Sequence, residues 1–156
     1  MAVNSKAKGE RGEYAARDLL REATGLQWER TPGSGALGAH MKLKGDLWVP
    51  GEKNLMTVEV KNYETDEFGL KSLVNKSNVF VSWLQQAVRE AGENGNDYML
   101  MIKWNRSPWF IGVSDHLGFS HPSKYILFEN ESCPKTLLCL FDDIKNQFKP
   151  ERFIRV

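Results

Sequence analysis

Apolar residues recur at helical spacing near the start of the chain. Tyr14, Ala15, Ala16, Leu19, Leu20 and Ala23 fall on this pattern, and Thr24-Gly25 ends it, which predicts a first helix over residues 8–24. Gly12 inside that helix lowers its stability by up to ~1 kcal/mol relative to Ala, so its presence points to a close approach by a neighbour. Leu26 to Arg30 reads as a short strand. Residues 31–45, with four glycines and one proline, read as a loop. Two apolar runs follow, Asp46 to Val49 and Leu55 to Tyr63, joined by the turn Pro50-Gly51-Glu52-Lys53-Asn54. Together they predict a β-hairpin. Asn78 to Gly92 predicts a second long helix, with Val79, Trp83, Gln86 and Ala87 on one side and Glu90 at its margin. Asp97 to Trp104 and Trp109 to Val113 read as strands flanking Asn105-Arg106-Ser107-Pro108. Lys124 to Phe128 is a candidate strand. Residues 136–148 are either a short helix or a strand followed by a helix. The order α-β-β-β-α-β-β predicts an α/β fold with a central mixed sheet flanked by helices.

At 156 residues the chain has the length of a single domain, predicted over 1–156. Its chemistry-bearing core falls at about 5–113, and residues 114–156 are an extension whose role the pattern does not give. The composition is globular: 41% hydrophobic, 26% charged and 11% aromatic. No run approaches the ~20 apolar residues of a membrane span. The first residues lack the apolar centre of a secretion signal. The two cysteines, Cys133 and Cys139, form neither a disulfide framework nor a zinc motif, so a cytoplasmic setting is expected. The 21 basic and 20 acidic residues give a net charge of +1. That excludes a histone-like DNA coater. It does not exclude a nucleic-acid enzyme that gathers carboxylates around a metal, because distribution matters more than the sum.

The chemistry concentrates on Thr57-Val58-Glu59-Val60-Lys61-Asn62. Alternation along a strand sends Val58 and Val60 to one face and Thr57, Glu59 and Lys61 to the other. Asp46 opens the partner strand of the same hairpin and can lie beside Glu59. Two carboxylates converging at a sheet edge suit a Mg²⁺ ion that keeps several waters. Taken alone, a Glu-Val-Lys triplet is usually a solvated face carrying a cross-strand pair. Glu13 has an ordinary reading too, as an i,i+4 partner of Arg17 on an exposed helix face. Arg30-Thr31-Pro32-Gly33-Ser34-Gly35 could be a plain flexible loop.

In order, Lys8–Glu13 (KGxxxE), Arg30–Gly35 (RxPxSG), Gly45-Asp46 and Glu59-Val60-Lys61 (ExK) resemble the motifs of the archaeal and bacteriophage Holliday junction resolvases, within the PD-(D/E)xK nuclease superfamily. The likeness covers residues 5 to about 62 and extends more loosely to about 104. Gly45 stands where the superfamily's name has proline. The resemblance implies a restriction-endonuclease-like core and hydrolysis of DNA phosphodiesters with Mg²⁺, for which Mn²⁺ would substitute. By the same resemblance, Asp46, Glu59 and the Val60 carbonyl would hold the metal, and Glu13 would bind a second ion or its water. Lys61 would orient or deprotonate the attacking water or stabilise the phosphate charge, and Ser34 would touch the scissile phosphate or the ion. Arg30 would clamp a phosphate, and the Gly33 and Gly35 amides would approach one closely. The substrate would be a four-way junction and the enzyme a homodimer, because that junction's approximate two-fold symmetry calls for two opposed nicks. A phage source would place it in the host cytoplasm.

Gln86, ahead of the equally eligible Gln85, could lie near the metal water, or either could be a solvated helix residue. The three histidines form no HxxxH or HExxH set, and His40 suits a DNA-backbone contact. Lys8, Arg11, Lys42 and Lys44 either serve solubility or neutralise DNA phosphates around the carboxylates. Phe80, Trp83, Trp104, Trp109 and Phe110 read as core, with a subset eligible for a dimer interface. Two rivals stay open: another PD-(D/E)xK nuclease cutting duplex or branched DNA, and an inactive DNA-binding protein on a nuclease fold. An unrelated α/β binding domain would be indicated if Asp46 and Glu59 failed to converge.

Overall fold

The computed structural model describes residues 5–32, 43–64, 69–70, 74 and 79–156. Helix α1 spans Ser5–Thr24, followed by strands β1 (Glu29–Arg30), β2 (Leu47–Trp48) and β3 (Met56–Tyr63). Helix α2 spans Val79–Asn94. Strands β4 (Asp97–Trp104), β5 (Phe110–Ser114), β6 (Ile126–Asn130) and β7 (Cys133–Leu140) follow, and then the short helix α3 (Phe141–Ile144). The strands form one mixed seven-stranded sheet in the order β1-β2-β3-β4-β5-β7-β6. Among the described residues only β3 and β4 run parallel, from Met56 opposite Asp97 to Tyr63 opposite Trp104. The crossover between them is α2, as a parallel connection requires.

Alternation along the central strands sorts the core into two layers. Val58, Val60, Met99, Met101, Ile111 and Val113 pack with Ala16 and Leu20 of α1. Tyr98, Leu100 and Ile102 pack with Phe80, Val81, Trp83, Leu84, Ala87 and Ala91 of α2. The sheet is therefore covered on both faces. This corrects the reading of Thr57, Glu59 and Lys61 as a solvated face: α2 lies over it, leaving Thr57 2% and Glu59 3% exposed.

Residues 114–156 do not stand apart. β7 inserts between β5 and β6 in the same sheet, and the 136–148 region resolves into strand followed by helix. The chain's end returns to the hairpin turn: Leu55 N–H donates to the Phe153 carbonyl, and Arg155 N–H to that of Lys53. Phe153 packs edge-on against Trp28 at 5.5 Å. The C-terminal segment thus braces the turn that joins β2 to β3.

Gly12 shows why α1 carries a glycine. A Cβ there would come within 2.6 Å of the Asn62 Cβ on β3, so α1 can lie this close to the strand only without a side chain. The Gly12→Ala protein is expected to lose ~1–2 kcal/mol in urea unfolding, because overpacking of ~1–3 kcal/mol outweighs Ala's helix propensity. Since the clash is with Cβ, Asn62→Gly should restore part of the loss and Asn62→Ala none. A Gly12→Ala protein as stable as the parent would refute this packing.

Candidate active site

The site begins with Gly45. Its φ is +89°, in the left-handed region, and a Cβ there would lie 2.8 Å from Thr57 Cγ2 and 3.1 Å from the Val58 carbonyl. Only glycine lets the chain enter β2 against β3 in this way. A proline, restricted to φ near −65°, could not stand here.

Asp46 follows and is held by backbone on three sides. Its N–H donates to the Val58 carbonyl at 2.7 Å, and its carbonyl accepts from Thr31 N–H at 2.9 Å. Its carboxylate Oδ2 accepts from Val60 N–H at 2.7 Å. With Leu47 opposite Val58, Asp46 falls opposite Glu59, and both carboxyl groups line the same cleft. β2 pairs with β3 no further than this, so the edge of β3 beyond Val60 is open towards the site. In a strand the N–H and C=O of one residue point the same way. The Val60 carbonyl therefore faces the same edge as the carboxylate that caps its N–H.

Helix α2 completes the cluster from the other layer. Lys61 Nζ donates to Gln86 Oε1 at 2.8 Å. The Gln86 amide in turn donates to Glu59 Oε2 at 3.4 Å and to Glu90 Oε1 at 3.3 Å. Gln86 thus ties Lys61 to two carboxylates. Glu90 is the residue that the sequence reading missed as part of the site. It was visible only as a polar residue one helical turn beyond Gln86 on a face that is otherwise buried.

Asp46, Glu59, Val60, Lys61, Glu13, Lys8 and Gln86 all line one open cleft of about 650 Å³, together with Asn62 and Tyr63. Glu13 stands to one side. Its carboxylate pairs with Arg30 Nε at 2.7 Å, and Arg17 pairs with Asp18 at 2.9 Å, so the expected Glu13–Arg17 pair is replaced. Among the described residues no three carboxylate, histidine or cysteine side chains cluster closely enough to form a ligand set by themselves. The Arg30 guanidinium is committed to Glu13 and lies over the Tyr14 ring at 4.9 Å. Arg11 is exposed and outside the cleft lining. Lys44 is exposed beside Glu93 at 3.8 Å, and Gln85 is exposed. Gly33, Ser34, Gly35, His40 and Lys42 lie outside the described residues. Lys8 reaches Asn105 while its carbonyl accepts from Asn62 at 3.1 Å.

The electrostatics suit a cation. Burial pushes the Asp46 carboxyl up to about 6, with the Glu13 charge adding to the effect and the Val60 amide and Lys61 opposing it. Burial, the contact with Glu90 and the Asp46 charge push Glu59 up to about 10. Burial alone would raise Glu90 as well, but hydrogen bonds from Glu59 and Gln86 and the nearby cations outweigh it and lower its pKa. Glu90 Oε2 is buried with no hydrogen-bond partner among the described residues. Two carboxyls that cannot both ionise cheaply and a backbone carbonyl on the same edge make an all-oxygen donor group. Such a set fits a hard divalent cation.

Comparison with known proteins gives the family. A family model described as "Phage putative PDDEXK endonuclease" matches residues 4–155. Protein D14 of Escherichia phage T5 is 41% identical over 147 residues, covering 91% of this chain and 92% of that protein. A structure of Archaeoglobus fulgidus Hjc, a Holliday junction resolvase from an archaeal hyperthermophile, aligns over 88% of this chain and 87% of its own. That alignment has a TM-score of 0.43 and 17% identity.

Both carboxyls bind their protons more tightly folded than unfolded. The stability they contribute is fully present below their ordinary values near 4 and is lost as pH rises, through about 6 for Asp46 and towards about 10 for Glu59. In EDTA, the unfolding free energy should therefore fall by roughly 5 kcal/mol between pH 5 and 8, most of it from Glu59. Asp46→Asn should reduce that fall, and Mg²⁺ should stabilise the parent more at pH 8 than at pH 5. A flat profile in the parent, measured by urea titration across this range, would contradict the coupled pair.

Proposed function

The chain belongs to the phage PD-(D/E)xK endonuclease family, and on that footing we propose that it is a Mg²⁺-dependent, structure-selective endonuclease that resolves four-way DNA junctions by paired symmetric nicks. The observation that carries the reading is the meeting of Asp46 and Glu59, with Lys61 and Gln86 beside them, in one open cleft.

Asp46, Glu59 and the Val60 carbonyl are the oxygens that would hold the cation, with Mn²⁺ as a substitute for Mg²⁺. When bound, such an ion supplies Lewis acidity, a nucleophile at neutral pH and alignment for in-line attack. Lys61, steered by the Gln86 carbonyl oxygen, positions the attacking water and counters the charge that builds on the phosphate oxygens. Attack at phosphorus breaks the bond to the leaving oxygen of the DNA backbone and leaves a nick. Glu13 holds Arg30 at the cleft's flank, where the guanidinium can turn to a phosphate at the cost of an exchangeable ion pair. Ser34 and the Gly33 and Gly35 amides would act on the scissile phosphate. Lys8 within the cleft, together with Arg11, His40, Lys42 and Lys44, would contact other phosphates of the DNA backbone. Such contacts position DNA without reading its sequence.

Selectivity for a junction follows from symmetry. A four-way junction has approximate two-fold symmetry, and a C2 homodimer presents two such clefts to its opposed strands. The setting would be the host cytoplasm, and the substrates the branched intermediates of DNA recombination and repair.

The test is a gel assay on a labelled four-way junction and a linear duplex built from its arms. Symmetric nicks are expected in the junction alone, lost in EDTA and in Asp46→Asn. In Lys61→Ala the rate should fall ~10²–10⁴-fold. Equal cutting of junction and duplex would keep the site and discard the selectivity. Junction binding without any cutting in Mg²⁺ or Mn²⁺ would overturn the catalytic reading.

A further inference from the structure

Tyr63 lies on the same face of β3 as Glu59 and Lys61, at successive two-residue intervals. It lines the same cleft, and it is 40% exposed, an unusual state for an aromatic ring on a central strand. One face of its ring lies on Trp83, with centroids 4.7 Å apart and planes inclined by 26°. Trp83 itself is only 4% exposed and belongs to the α2 core layer, so it acts as a fixed backing plate. The same helix supplies Gln86 one turn later. α2 therefore braces two successive outward positions of β3: Gln86 steadies Lys61 and Trp83 steadies Tyr63.

Four residue steps lead from Glu59 to Tyr63, ~13 Å along β3. Stacked DNA advances 3.4 Å per nucleotide along one strand, so this is the span of roughly four nucleotides. In an intact duplex every internal base has both faces covered by its neighbours. A free base face within four nucleotides of a scissile phosphate exists only where stacking is interrupted, as at a branch point. A pre-oriented ring in the cleft gains ~1–3 kcal/mol from stacking on such a face and nothing from a continuous duplex.

We propose that Tyr63, backed by Trp83, is the stacking platform that reads interrupted base stacking in the substrate, and so determines the cleft's preference for branched over linear DNA. This rests on the proposed nuclease reading of the same cleft. Tyr63 touches the DNA a few nucleotides from the reacting phosphate and takes no part in the chemistry.

The test places 2-aminopurine at each of the first four positions on either side of the branch point of a four-way junction. Emission is read on binding the non-cutting Asp46→Asn protein in Mg²⁺. Emission should change at one or two of these positions and not at matching positions in linear duplex. The change should vanish when Tyr63→Ala or Tyr63→Leu is added and persist with Tyr63→Phe or Tyr63→Trp. In the cutting enzyme, Tyr63→Ala should raise KM for the junction about ten-fold with kcat little changed. Tyr63→Leu keeps apolar bulk, so it separates stacking from mere packing and covers the case in which the alanine variant fails to fold. A junction that is bound and cut while emission stays unmoved at every position, or moves equally in Tyr63→Leu, would overturn the platform and leave the nuclease reading intact. A Tyr63→Ala protein that instead runs as a smaller species in size-exclusion chromatography, with the emission change retained, would assign the ring to a contact between copies and likewise overturn it. Failure to cut or bind any DNA would remove the nuclease reading itself.

Discussion

The hydrogen bond from Val60 N–H to the Asp46 carboxylate governs the architecture of the site. It ends the pairing of β2 with β3 and does so with a side chain where another stretch of backbone would otherwise continue the ladder. The edge of β3 beyond it is left free, and Val60 keeps its amide satisfied while its carbonyl faces the opening. Gly45 makes the bond geometrically accessible, because no side chain could pass Thr57 at that point. The bond also places a carboxylate directly against Glu59 in the half-buried layer between sheet and helix. A cation site and a gap in the sheet therefore arise from one local event.

The arrangement carries a standing electrostatic strain. Glu59 is almost wholly enclosed by α2, and burial of a carboxylate beside two others disfavours its charge. Protons relieve the strain in the metal-free protein, and a divalent cation would relieve it at neutral pH. Gln86 mediates between the parts. Its amide oxygen takes the Lys61 ammonium while its amide nitrogen faces Glu59 and Glu90, so lysine and carboxylates stay close without collapsing into a direct pair. That separation leaves Lys61 available to a substrate. The chain belongs to a phage endonuclease family, and nuclease chemistry is the use we propose for this balance.

Much of this was legible in the sequence, and the gaps have physical causes. Alternating residues in 57–61 and the hairpin turn at 50–54 foretold the meeting of Asp46 and Glu59, because hairpin register is a local property. Gly12 announced its close neighbour through its cost to the helix. The second helix was legible as an element, and Gln86 as its candidate residue at the site, but its cover over the Glu59 face was not. Whether α2 covers the Glu59 face depends on the parallel β3–β4 crossover, which local pattern does not specify, and so Glu90 and the Tyr63–Trp83 stack went unseen. The pairing of Glu13 with Arg30 in place of Arg17 is likewise tertiary. It requires β1 to lie across α1, which no i,i+4 rule contains. The C-terminal segment was least legible because its strands β6 and β7 enter the sheet out of chain order, and its aromatic residues pack on Trp28 and the hairpin turn far away in sequence.

The central claim is that Asp46 and Glu59 are two sides of one divalent-cation site. Anomalous diffraction from a crystal soaked in Mn²⁺ tests it directly. The account predicts a peak between the two carboxylates, within coordination distance of the Val60 carbonyl, and its disappearance in Asp46→Asn. Mn²⁺ bound elsewhere with these carboxylates unoccupied, or a peak that persists unchanged in Asp46→Asn, would contradict it.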